Sequence, residues 1–274
     1  VSSVRIVGVL NITPDSFHDG GKYVEPSLAV ERAGEMLRDG ADILEVGGES
    51  TGPRSLDVSL DQELTRIGPV LRALREAFPK AALSVDTYKS GVASEALKHG
   101  VTLINDVTAG RSDPELLNVV AQSSASLVLM YAKDETPRTT IAEKEYDDVL
   151  RTMMSFLRER TEVALAAGLT RERLLVDPGL GHFVSSTPRY SFEILARLPE
   201  LLTLGYPVFL SPSRKSFLAG REQLKTVDRL PGTVAASAIA VLHGATYIRT
   251  HDVKEVSRGC EIAEEVRHFR PPLR

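Results

Sequence analysis

Eight short apolar runs rich in β-branched residues, spread over the whole chain, constrain its fold more than any other feature of the sequence. They are Arg5 to Leu10, Ile43 to Gly47, Ala82 to Val85, Thr102 to Ile104, Ser126 to Met130, Leu174 to Val176, Pro207 to Leu210 and Thr246 to Ile248. They are near-continuous apolar runs rather than polar-apolar alternations, which is the pattern of strands covered on both faces in a parallel sheet. Helical patterns lie between them. The clearest is Leu60, Leu64, Ile67, Leu71, Leu74 and Phe78, spaced by three and four so that one face is apolar. Ser59 and Gln62 form a capping box at its start, and Asp113-Pro114-Glu115 opens another helix with a cap followed by proline. Gly40, Gly100, Gly168, Gly205 and Gly244 each stand shortly before a strand, where a left-handed residue ends a helix.

Eight such units without a linker or a break in composition predict one domain over residues 1–274, an α/β chain closed into a (β/α)8 TIM barrel of parallel strands. A doubly wound open sheet is the alternative. The glycine signature of a dinucleotide fold is absent, however, and the first run leads instead into Asn11-Ile12-Thr13-Pro14-Asp15-Ser16-Phe17. With 42% hydrophobic residues, 274 residues suffice for one large core. Against 37 acidic residues stand 33 basic ones, a formal charge of -4 that excludes a global basic field for nucleic acid or anionic membrane. Any anion site is therefore local. The most apolar helical stretch, Thr233 to Leu242, is too short to span a bilayer, and no leader pattern opens the sequence. Cys260 is the only cysteine, with no partner for a disulfide or a zinc site, so the expected setting is a reducing cytoplasm.

Polar residues fall where each strand runs out: Asn11, Glu49-Ser50-Thr51, Asp86-Thr87, Asn105-Asp106, Tyr131, Asp177, Ser213-Arg214-Lys215 and Arg249-Thr250-His251. In a barrel those ends share one rim, the C-terminal face that carries catalytic loops. Any one Asp or Asn there is often only a helix cap, and Asp106 suits that structural role best. Asp86, Asn105 and Asp177 together are harder to explain as caps, because they end strands three, four and six and converge. Arg54, Arg214, Lys215, Arg249 and His251 bring the opposite polarity near the last two strands, where barrels commonly hold phosphate. The polar, glycine-rich loop from Asn11 to Gly21 suits a lid. His18 and His182 are isolated and read as ordinary loop residues.

Gly8-Val-Leu-Asn11-Ile-Thr-Pro-Asp-Ser-Phe-His-Asp-Gly-Gly21 and Gly47-Gly-Glu-Ser-Thr51 resemble the two signature segments of the dihydropteroate synthases. The resemblance continues in family order through Ser84-Val-Asp86-Thr, Ile104-Asn105-Asp106, Asp177-Pro-Gly-Leu-Gly, Ser213-Arg-Lys215-Ser and Arg249-Thr-His251-Asp. It implies the condensation of 6-hydroxymethyl-7,8-dihydropterin pyrophosphate with p-aminobenzoate to 7,8-dihydropteroate and pyrophosphate, in folate biosynthesis. It further implies that Asp86, Asn105, Met130, Asp177, Lys215 and Arg249 hold the pterin, while Asn11, Thr51, Arg249 and His251 hold pyrophosphate. Thr51, Arg54 and Ser216 are then the candidates for p-aminobenzoate. Catalysis would rest on Asn11, Lys215, Arg249 and His251, with Mg2+ on the Asn11 side-chain oxygen and on substrate oxygens.

The implied mechanism is dissociative: cationic groups stabilise departing pyrophosphate and the aniline nitrogen attacks a cationic pterin methylene. The implied assembly is a homodimer paired through late helices, for which Ala235, Ala236, Ala238, Ala240 and Leu242 suit either a partner surface or a helix packed on the barrel.

The chain departs from the commonest family pattern at several places. Gly52-Pro53-Arg54 stands where Arg-Pro-Gly is usual, and Tyr131 where histidine is frequent. Ser211-Pro212 replaces a usual glycine-pair position, and His182-Phe183-Val-Ser-Ser is similar to the Phe-Leu-Ser stretch of drug-insensitive members. Two other readings stand beside the main one. A pterin-binding methyltransferase would use the same barrel but needs no pyrophosphate site, and a non-catalytic pterin-binding paralogue would bind without turnover.

Overall fold

The computed structural model describes residues 4–12 and 25–269. Eight parallel strands are present among the described residues: β1 (Arg5–Asn11), β2 (Ile43–Gly47), β3 (Ala82–Asp86), β4 (Leu103–Asp106), β5 (Ser126–Met130), β6 (Leu174–Asp177), β7 (Phe209–Leu210) and β8 (Tyr247–Thr250). Their order is β6-β5-β4-β3-β2-β1-β8-β7. The two ends meet where Val176 bridges Val208 in parallel and its N–H donates to the Pro207 carbonyl at 3.0 Å, so the sheet closes into the expected barrel. The seam is its weakest pairing for a local reason. Proline has no N–H to donate, and the predicted run from Pro207 is reduced to Phe209–Leu210 in the ladder.

The helices α1 (Pro26–Arg38), α2 (Leu60–Ala77), α3 (Ser90–Lys98), α4 (Glu115–Ala121), α5 (Val149–Ala166), α6 (Pro188–Ala196), α7 (Leu198–Leu201), α8 (Leu230–Leu242) and α9 (Val253–His268) cover the outside. The capping box forms as read: Ser59 Oγ accepts from Gln62 N at 3.2 Å, and the Gln62 side chain accepts from Ser59 N at 3.0 Å. Asp113 closes the start of α4 by accepting from Glu115 N at 3.2 Å. All five glycines expected before strands have positive φ, from 73° at Gly205 to 104° at Gly40. Within α8, Ala236 and Ala240 are buried, whereas Ile239 and Leu242 are exposed. No helix among the described residues is long and apolar enough to cross a membrane.

The strands differ from the apolar runs in one respect that matters for the site. β1, β3, β4, β6 and β8 continue into the polar residues that the runs stop short of, so Asn11, Asp86, Asn105, Asp177 and Arg249 are held by ladder hydrogen bonds rather than by loops. One residue from every strand builds the floor of the barrel: Val7, Ile43, Leu103, Val128, Leu175 and Phe209 form one buried cluster, with Ala82 and Tyr247 packed against it. Because side chains alternate along a strand, residues two and four positions further on point the same way. Counting by two from that floor reaches Glu45, Ser84, Asn105, Met130, Asp177 and Arg249, and then Asn11, Gly47 and Asp86.

The turn before β8 is sterically committed to glycine. Gly244 has φ 103°, and a Cβ there would lie 2.5 Å from Leu202 Cδ1. Gly244→Ala is expected to lower the stability of the fold by about 1–2 kcal/mol from the backbone conformation alone, read as a lower denaturant midpoint at unchanged slope.

Candidate active site

A buried charge cluster fills the mouth of the barrel. Glu45, on β2 and fully buried, accepts from Arg249 Nε through one carboxylate oxygen. Its other oxygen accepts from Asn105 Nδ2 and Ser84 Oγ, each at 3.2 Å. Arg249 turns its second arm to Asp86, with Nη2 donating to Oδ2 at 2.8 Å. Asn105 is left with a buried side-chain oxygen that no donor among the described residues satisfies. Such an orphaned acceptor costs free energy unless a ligand donates to it.

Asp177, at the end of β6, accepts from Gly179 N at 2.7 Å and is 2% exposed. Burial pushes its carboxyl up to about 6, against the lowering effect of the Gly179 N–H, Lys215 and Arg249. Burial likewise pushes Asp86 up to about 7; Arg249 opposes the shift and Glu45 adds to it. The same cause brings the Lys215 ammonium down to about 8, with Asp177 pulling the other way. These groups sit close to neutral pH because the site is withheld from water. Lys215 Nζ stands 4.5 Å from the centre of the Phe183 ring. Phe183 packs with Met130, Val107 and Ala132 as an apolar wall beside Lys215.

His251 follows β8 and is gripped on both nitrogens. Ser213 Oγ lies 2.9 Å from Nδ1, and Asn11 Nδ2 lies 3.3 Å from Nε2. Burial first, and then Arg249, pushes its pKa down to about 4, so the ring is neutral at pH 7. With Asn11 donating to Nε2, the Nδ1 proton is on the Ser213 side, and the Asn11 oxygen remains available. That oxygen lies 3.6 Å from where a Cβ on Gly47 would stand, an ordinary van der Waals contact.

The proposed lid residues Pro14, Asp15, Ser16, Asp19, Gly20 and Gly21, together with His18, lie outside the described residues. The loop after β2 is tied across the mouth by a residue that sequence reading overlooked. Arg138, from the segment after β5, donates to the carbonyls of Ser55 and Leu56 at 3.0 and 2.6 Å and pairs with Asp57 and Glu49. Next to it, Thr139 N donates to the Thr51 carbonyl at 3.1 Å. Glu49 also pairs with Lys89, which reaches Glu63 as well.

Arg54 is exposed and makes no hydrogen bond or ion pair among the described residues, and its φ of 71° is a left-handed conformation that suits glycine. Arg214 is occupied by the Asp252 carboxylate, to which it is bidentate at 2.8 and 2.5 Å, and it thereby anchors the turn that carries Lys215. Asp106 is occupied by the following turn, accepting from Thr108 N, Thr108 Oγ1 and Gly110 N. Ser216 lies beside Gly181, its Oγ 3.1 Å from a Cβ built there. Glu45 itself escaped notice because it sits inside an apolar run; a lone carboxylate there, two residues beyond a floor residue, was the available signal.

A closed parallel barrel with acceptors and cations converging at the C-terminal ends of its strands defines a small-molecule barrel enzyme. Residues 7–251 match the family model described as pterin binding enzyme. The chain is 38% identical over 261 residues to an Escherichia coli protein named dihydropteroate synthase type-3, covering 95% of this chain and 98% of the relative. It superposes on the Xanthomonas albilineans dihydropteroate synthase solved with 4-aminobenzoic acid, with TM-score 0.89, 36% identity, and coverage of 98% of this chain and 94% of that one. A Coxiella burnetii dihydropteroate synthase in complex with pteroic acid gives TM-score 0.86 at 32% identity, with 98% and 94% coverage. The chain belongs to the pterin-binding enzyme family, and these relatives within it are dihydropteroate synthases.

A buried carboxyl with a raised pKa tests the electrostatics directly. Asp177 binds its proton more tightly folded than unfolded, so its contribution to stability is greatest at low pH. That contribution is lost as pH rises from the ordinary 3.8 through about 6. Asp177→Asn is therefore expected to stabilise the protein by up to about 3 kcal/mol at pH 8 and by almost nothing at about pH 3. Denaturant titrations at the two pH values read the difference, and an equal effect at both would refute the assigned burial cost.

Proposed function

We propose that the chain condenses 6-hydroxymethyl-7,8-dihydropterin pyrophosphate with p-aminobenzoate, giving 7,8-dihydropteroate and pyrophosphate. The observation that carries this reading is the meeting of Asp86, Asn105 and Asp177 with Lys215 and Arg249 at one buried mouth. A pterin presents N–H donors along its pyrimidine edge, which suits the unsatisfied Asn105 oxygen and the two aspartates. Lys215 donates to the pterin carbonyl and ring nitrogen, the apolar wall at Met130 covers one side, and Arg249 lies flat against the ring and also reaches phosphate.

Asn11, Thr51, Arg249 and His251 receive pyrophosphate. Its arrival favours protonation of His251, since a polyanion raises the pKa of a neighbouring imidazole. The C–O bond to the leaving group breaks with its electron pair going to pyrophosphate, the aniline lone pair forms the new C–N bond, and the nitrogen then loses a proton. Arg249 and Lys215 stabilise charge as it develops, which is the larger part of the catalytic effect.

The donor set suits Mg2+ with few protein ligands, because the Asn11 amide nitrogen is turned to His251 and leaves one hard amide oxygen to offer. When bound there it supplies positive charge to the leaving pyrophosphate. Thr51 and Ser216 are assigned to p-aminobenzoate; Arg54 joins them from its exposed loop on substrate binding. We further infer a cytoplasmic homodimer. Ile239 and Leu242 on α8 and Ile262 and Val266 on the adjacent α9 are exposed aliphatic side chains that suit burial against a second copy.

Pyrophosphate release by the purified protein is expected to require the pterin substrate, p-aminobenzoate and Mg2+ together. Asn11→Ala with Asp177→Ala is expected to reduce it by roughly 100-fold or more; undiminished release would defeat these roles, and tight pterin binding without release would select the non-catalytic reading. Ile262→Glu with Val266→Glu is expected to convert a dimer to a monomer in sedimentation velocity, and a wild-type monomer would rule the pairing out.

A further inference from the structure

Glu45 has no assigned part in the reaction, yet it touches more of the site than any residue that does. It is fully buried, and its two oxygens accept from Arg249, Asn105 and Ser84, three side chains on three other strands. A carboxylate has acceptors only, whereas an asparagine amide has one accepting and one donating end. Asn105 facing Glu45 must therefore present its nitrogen to the carboxylate and turn its oxygen away from it. That oxygen is the buried acceptor with no donor among the described residues.

The geometry assigns Glu45 as the residue that sets the hydrogen-bonding polarity of Asn105, and with it the requirement that the ligand donate an N–H at that point. The same carboxylate holds Arg249 by Nε, so that only the far edge of the guanidinium faces Asp86 and the mouth. Glu45 touches no substrate atom in this scheme; it is a positioning residue that determines specificity through Asn105. The assignment rests on the pterin reading above. A buried counter-charge for Arg249 is the plainer role, and the two roles predict different behaviour.

Glutamine in place of glutamate has nearly the same shape but offers both a donor and an acceptor, so Asn105 is free to turn over. The ligands that separate the roles are 6-hydroxymethylpterin and its lumazine analogue, in which a carbonyl acceptor replaces the exocyclic amino donor. Their affinities are compared by calorimetry for the wild-type protein, Glu45→Gln, Glu45→Asp and Asn105→Ala, with the melting temperature of each.

The wild-type protein is expected to prefer the pterin by roughly 100-fold or more, as a site with a fixed buried acceptor rejects a ligand lacking the donor. Glu45→Gln is expected to narrow that ratio by roughly tenfold, and Glu45→Asp, which still only accepts, to retain it. A Glu45→Gln protein that weakens both ligands equally, or neither, overturns the assignment. If Glu45→Gln does not fold, Asn105→Ala decides: unchanged discrimination without the Asn105 oxygen overturns it equally. A wild-type protein that binds neither ring overturns the pterin reading itself, an outcome distinct from a failure of the Glu45 role alone.

Discussion

Closing eight parallel strands on themselves leaves only alternate residues of each facing the axis, and the rest of the molecule follows from that restriction. The floor takes one apolar residue from each strand, and the same parity carried upward delivers Glu45, Ser84, Asn105, Met130, Asp177 and Arg249 into one small space. Ladder hydrogen bonds fix the heights of Asp86, Asn105 and Asp177, so the positions of these acceptors are set by backbone pairing. Outside the barrel the other parity faces the helices, where it makes the large aliphatic core. One pleat therefore divides each strand between folding and chemistry.

Charges gathered in such a space are costly. Asp86 and Asp177 are pushed upward and Lys215 and His251 downward, burial being the first cause in all four. The cluster is sustained because its members answer one another: Arg249 lies between Glu45 and Asp86, and Lys215 is drawn up by Asp177. A buried pair of this kind is weak evidence for stability. Its use is to hold donors and acceptors in fixed places for a ligand whose edge matches them, with little reorganisation left to make when charge moves.

The rim carries Gly52-Pro53-Arg54, the segment where the sequence departs from the pattern it otherwise resembles. Arg54 occupies a left-handed position of the kind that suits glycine, and its side chain is exposed. The loop is held all the same, because Arg138 reaches over from the β5 side to two of its carbonyls and to Asp57 and Glu49. The place of Thr51 thus depends on a segment almost ninety residues away in the chain.

Much of this was legible beforehand, and for a definite reason. Runs of apolar residues, caps and helix-ending glycines are local signals, and they located eight strands and the principal helices, while the motif order from Asn11 to His251 indicated which strand ends carry chemistry. Local signals say nothing about facing. That Asp106 and Arg214 are spent on turns, that Arg54 is exposed, and that Arg138 and Glu45 belong to the mouth all depend on contacts between segments distant in sequence. The sequence by itself determined the barrel and which polar residues stand at the ends of its strands, because period and composition are written into each segment. Only the tertiary structure decided which way each polar group points and what answers it, because a hydrogen bond or an ion pair is a property of two places in space and the chain records only one at a time.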